Sequence, residues 1–186
     1  MAWSKFFQRF SVTLSLAIAT ALPLDAVRAE SVFDPYTSTI RQQIPVGLSI
    51  RLPEKIWLSP EQQSTIEAFT VRVFVSQNPT RMTLSLHSCK TGATPCLIGS
   101  FVTENQASQD AQAELKRHEN TGVRLTLRDG VKAYVIDNTQ QGNASFASMM
   151  WTQDNMIHTL SFPQAARQNM LYTGLSMANS DVIFRP

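Results

Sequence analysis

The chain alternates apolar and polar residues over several short stretches. In IEAFTVRVFVS (66–76), Val71, Val73 and Val75 alternate with Arg72 and Phe74. That period of two, in β-branched residues, predicts a strand. Asn78-Pro79 predicts the turn that follows. In RMTLSLHSC (81–89), Met82, Leu84 and Leu86 fall on one face and Thr83, Ser85 and His87 on the other. CLIGSFVTE (96–104) reads as the returning strand. From Gly122 onward the pattern becomes a β-meander. VRLTLRD and VKAYVIDN flank Asp129-Gly130, a strong hairpin signal. ASFASMMWTQ then turns at Asp154-Asn155 into MIHTLSFP.

Two stretches have a helical period. QASQDAQAELKRHEN (106–120) places Ser108 as a cap, Asp110 near its N-terminus and Lys116, Arg117 and His118 near its C-terminus. Its apolar stripe, Ala111 and Leu115 with Ala107, is thin. QAARQNMLYTGLSMAN (164–179) has a broader one, with Ala166, Met170, Gly174 and Met177 in line. Near the start, VGLSIRL fits a strand that Pro53 ends, and Trp57 is expected to plug a core edge. Residues 30–45 show no clear period and predict an irregular arm. These elements together predict an α+β domain. Its sheet would be curved and antiparallel, with about 6–8 strands and a β-meander in the C-terminal half. It would carry two helices, the C-terminal one packed on the sheet.

The first residues change the picture of what is exported. MAWSKFFQRF carries Lys5 and Arg9 and no acid; an uncharged stretch, SVTLSLAIATALPL, follows. Val27 and Ala29 then occupy the small-residue positions of a cleavage site. This is the pattern of a secretory signal peptide over residues 1–29, leaving one domain over 30–186. Its apolar core falls short of the roughly 20 residues that a membrane helix needs. The expected compartment is periplasmic or extracellular, with no transmembrane span after cleavage. Of sixteen basic and fourteen acidic residues, cleavage removes Lys5, Arg9, Arg28 and Asp25, leaving thirteen of each sign. A mature chain near neutrality, without a Lys/Arg block, gives no reason to expect nucleic acid as a partner.

Export also bears on Cys89 and Cys96, the two cysteines of the chain. An even count in an exported chain favours a disulfide. The spacing matches no common zinc pattern and is not Cys-x-x-Cys. A bridge closing a loop of about eight residues stabilises by roughly 2.5 kcal/mol in the chain-entropy model. His87 beside it reads as a polar position on the wet face of its strand.

Catalytic signals are sparse. The sequence has no nucleophile elbow, phosphate loop, HExxH or G-x-G-x-x-G. His87, His118 and His158 lie in three different elements, which points to no catalytic residues, no metal ligands and no cofactor. The Met149–Trp151 cluster is more suggestive. Met149 and Trp151 share a strand face while Met150 points away. With Met170 from the last helix they could line a site for an apolar ligand. The simpler reading makes all three part of a sheet–helix core.

The stretch MMWTQDNMIHTLSFPQAARQNMLYTGLSMANS runs strand, W-x-x-D-N turn, strand and proline-started helix, with Trp151, Asp154 and Ser176 in place. It resembles the C-terminal module of an uncharacterised extracytoplasmic domain of bacterial anti-sigma factors and lipoproteins, over about sixty residues from Val123 to Ala178. His158 stands where that module has Tyr, Asn155 replaces its turn Gly, and Gly174 and Leu175 depart from its helix end. The whole chain is also similar to secreted hypothetical proteins of cyanobacteria. The resemblance implies binding rather than catalysis. The expected function is that of an exported, non-catalytic envelope module that binds a protein partner or small apolar ligand. The alternative is a structural or assembly protein of the envelope; a hydrolase-type enzyme comes third.

Overall fold

The computed structural model describes residues 31–58, 69–90, 96–141 and 144–184. Residues 1–29, expected to be a signal peptide, lie outside them. Nine strands occur in the described residues. Seven of these, β2 (Thr70–Gln77), β3 (Thr80–His87), β4 (Leu97–Asn105), β5 (Val123–Thr126), β6 (Lys132–Gln141), β7 (Ala144–Gln153) and β8 (Met156–Pro163), form one antiparallel sheet. Its order is β2-β3-β4-β8-β7-β6-β5. β1 (Ser49–Arg51) and β9 (Val182–Phe184) pair separately, also antiparallel. Neither β9 nor that pairing was visible in the pattern of the chain.

Two expectations about the architecture are overturned. Among the described residues there are three α-helices rather than two: α1 (Thr37–Gln43), α2 (Gln109–Thr121) and α3 (Arg167–Asn179). The first occupies the segment expected to be an irregular arm, after a 3-10 turn at Asp34–Tyr36. It is one short amphipathic element held by Ile40, which is fully buried. The sheet is open and uncurled, with β2 and β5 as separate edges, rather than curved.

Register explains the core. Val73, Leu84, Phe101, Leu160, Met149 and Val135 stand directly opposite one another in sequence across six strands. This row lies on the face covered by α1, by α3 and by Phe33, whose ring meets Phe101 edge-on at 5.3 Å. Met170 and Met177 of α3 are buried in the same cluster. On that face Gly99 is essential to the packing, because a β-carbon there would overlap the Phe162 ring. Helix α2 covers the opposite face over β6, β7 and β8, where Ala111 packs with Met150 and Ile157. The domain is therefore three layers deep, with the sheet in the middle.

Turns follow local chemistry. Asp154 (φ 53°) and Asn155 (φ 60°) both take the left-handed conformation and join β7 to β8 in a two-residue loop. Such a loop needs two left-handed residues, and Asp and Asn tolerate that region better than most. Ser108 caps α2 by accepting from the Ala111 amide at 3.3 Å. Cys89 and Cys96 form a disulfide with Cα atoms 5.9 Å apart, tying β3 to β4 across their connection. His87 is buried rather than on the wet face, at the point where the ladder shifts register between Leu86 and His87. Trp57 does not plug the core: it is exposed, its ring 5.7 Å from that of the exposed Tyr172 on α3. Among the described residues, no helix is long and apolar enough to cross a membrane.

Candidate functional site

The residues proposed to line an apolar site are packed solid. Met149, Trp151 and Met170 are each 0% exposed. Met149 and Trp151 share the α3 face of β7, as the alternation predicts, and Met150 lies on the α2 face. The Trp151 indole N–H donates to the Gln153 side chain at 3.1 Å, and its ring stacks at 5.2 Å on His158. These side chains fill the core.

Accessible space lies instead at the end of the sheet where the α1–β1, β4–α2 and β7–β8 connections meet. A cleft of about 730 Å³ is lined by Pro45, Val46, Leu48, Met156 and Phe184, with Ser49, Asn105, Asp154 and Asn155 as its polar groups. Val46 is 81% exposed and Phe184 63% exposed. Val46, Gly47 and Asn105 also border a second cleft of about 590 Å³, which extends to the β2–β3 turn and the start of α2. Val46 thus forms a ridge between the two. Gly47 holds φ at 84°, a conformation that costs a β-carbon-bearing residue, and so presents Val46 outward.

Asp154, one of the groups lining this cleft, is tied into the fold by an ion pair. The Arg51 guanidinium bonds Asp154 through Nε at 2.7 Å and donates to the Ser180 carbonyl through Nη1. One side chain thereby ties β1, the β7–β8 turn and the end of α3. His158 lies behind it, 1% exposed, its Nδ1 3.1 Å from the Thr103 hydroxyl. Burial holds its pKa down to about 4, helped by the nearby Arg51 charge and opposed by Asp154 and the Gln153 backbone. It is neutral at physiological pH.

A second polar centre lies under α2. His118 Nε2 is 2.8 Å from Ser148 Oγ, and its Nδ1 faces the Glu114 carbonyl at 3.0 Å and the Glu114 carboxylate at 3.3 Å. Both neighbours of Nδ1 are acceptors, so Nδ1 carries the proton and Nε2 accepts from the serine hydroxyl. Desolvation lowers the His118 pKa, and the hydrogen bond from Arg117 lowers that of Glu114. The order serine, histidine, carboxylate is that of a hydrolase relay. Both the serine and the histidine are buried, however. Ser148 stands in the middle of β7, which pairs with β6 on one side and β8 on the other. Hydrogen bonding of a buried polar pair accounts for the geometry. Among the described residues, no group of three or more His, Cys, Asp or Glu could hold a metal.

The sequence missed both places for the same reason. Val46, Met156 and Phe184 belong to three separate elements, and Ser148 and His118 are 30 residues apart. The local signal for the cleft is faint: an apolar valine beside a glycine in a loop. No family model matches this chain, and no curated protein matches it at a significant level.

Proposed function

We propose that this chain is an exported, non-catalytic module of the cell envelope that binds an apolar group at the cleft beside Val46. The group is a small apolar ligand or an apolar side chain of a protein partner. One observation carries the reading: Val46 and Phe184, both well exposed, flank a cleft whose other apolar members are Pro45, Leu48 and Met156. Exposed apolar residues that converge on a concave site are the usual mark of recognition, whereas scattered ones are ordinary. Asp154, Asn155 and Asn105 supply polar contacts at the rim.

The test is a fluorescence titration of the exported protein with N-phenyl-1-naphthylamine. Saturable binding near one equivalent, weakened at least tenfold in Val46→Asp with an unchanged melting temperature, supports the reading. Non-saturable binding, or binding equal in the variant, contradicts it. The structural alternative, an assembly protein without a ligand site, predicts the second result.

A further inference from the structure

Helix α2 does not lie flush on the sheet. Between them runs a trench of about 240 Å³. Its floor carries four hydroxyls, Ser100 of β4, Ser148 of β7 and Thr159 and Ser161 of β8. Three of these are a single row, since Ser100 stands opposite Ser161 and Ser161 opposite Ser148. At one end Arg81 and Glu104 form an ion pair at 3.1 Å, and Glu104 is buried. The Arg81 Nε atom is buried and makes no hydrogen bond. Val102, Ala111 and Met150 add a narrow apolar strip.

We propose that this trench is a second binding site, for one ring of a neutral glycan. The lining selects that chemistry by charge and by hydrogen-bonding capacity. Asp110 on its border adds a negative charge that disfavours an anion. Arg81 neutralises Glu104, and Arg117 neutralises Glu114, so little net charge remains to hold a cation. A long apolar chain would desolvate the row of hydroxyls without giving them partners, at a cost for each. A sugar ring meets every demand. Its hydroxyls donate and accept like those of the floor, a vicinal pair spans the Arg81–Glu104 couple and satisfies the orphan Nε, and its C–H face covers the apolar strip. The volume suits one small ring, below the roughly 300–1,000 Å³ that drug-sized ligands occupy.

The direction of a longer glycan follows from the register. Phe74 stands opposite Thr83, Thr83 opposite Val102 and Val102 opposite Thr159, all in one line across the same sheet face. Phe74 is 55% exposed at the β2 edge. A chain leaving the trench across β4 and β3 reaches an aromatic ring on which a second sugar stacks.

The experiment is ¹H–¹⁵N chemical-shift mapping of the exported protein against maltotetraose, cellotetraose and chitotetraose. Inorganic phosphate and spermidine serve as anion and cation controls. At least one tetrasaccharide should shift the amides of Ser100, Ser148, Thr159 and Ser161 saturably. Ser161→Val, compatible with a strand, should weaken that binding at least tenfold, and Ser161→Thr should retain it. Ser100→Val repeats the test should Ser161→Val fold poorly. Silence toward all three sugars, shifts confined to the Val46 cleft, a response to phosphate or spermidine alone, or sugar binding unchanged in the valine variants would overturn the proposal.

Discussion

The methyl end of Met149 occupies the space that a β-carbon on residue 174 would need. Gly174 is buried on α3, and Met149 is fully buried on β7, so the absent side chain sets how closely helix and sheet approach. Leu160 Cδ1 lies only 3.1 Å from the same position.

Gly174→Ala therefore has two opposing effects. Helix propensity favours alanine by roughly 1 kcal/mol. Overpacking against a filled core costs about 1–3 kcal/mol. The second should win, and Gly174→Ala should lower stability by about 1 kcal/mol or more. In a double-mutant cycle with Met149→Ala, the two losses should be less than additive, because the truncated methionine vacates the space. Thermal melts of the four proteins decide it. A raised melting temperature in Gly174→Ala would show an open helix surface.

The buried His158 makes stability depend on pH. Its folded pKa, about 4, lies below its ordinary value of 6.5. Between these values the unfolded chain binds more protons than the folded one, so stability falls as pH falls. The contribution is complete above pH 6.5, shrinks from 6.5 to about 4 and is flat below. A shift of this size corresponds to about 3 kcal/mol. Urea melts across pH 4–7 should show that slope in the native protein and a shallower one in His158→Phe, which keeps a ring against Trp151 and leaves the smaller effect of His118. Parallel pH curves for the two proteins would contradict the assignment.

His118 and Ser148 should act as a structural pair. Ser148→Ala leaves the buried Nε2 without its donor, at a cost of roughly 1–3 kcal/mol. Ser148 should not react with a fluorophosphonate probe, because its side chain is buried beneath α2. Covalent labelling at Ser148, read by intact mass, would reinstate the hydrolase reading.

Reducing the Cys89–Cys96 bond should lower stability by roughly 2.5 kcal/mol and leave the fold intact. The loop it closes is short, and the core rows of β3 and β4 do not include either cysteine. Near-ultraviolet circular dichroism before and after reduction tests this. Loss of the tertiary signal at room temperature would mean that the bridge is required for folding.

How much of this was legible follows from how local each signal is. The alternation of Met82, Leu84 and Leu86, the left-handed pair Asp154-Asn155 and the Ser108 cap all act within a few residues. Each is found where the pattern puts it. Helix α1 has seven residues, one of them buried, too few to display a period. Strand β9 has three residues and exists because β1 lies beside it. The Met149–Trp151 cluster looks the same in sequence whether it lines a pocket or fills a core, since both need large apolar side chains. The clefts depend on where separate turns converge, and no single stretch records that.

The central claim, recognition at the turn end of the sheet, is tested most directly by site-specific photo-crosslinking in the native host. A photoreactive residue placed at Val46 is compared with one at Glu119, exposed on α2. Position 46 should give a discrete adduct, a single protein or a single small mass, that disappears with Phe184→Asp; position 119 should give none. An adduct at 119 alone, or none at 46 while the protein is folded and exported, would contradict the account.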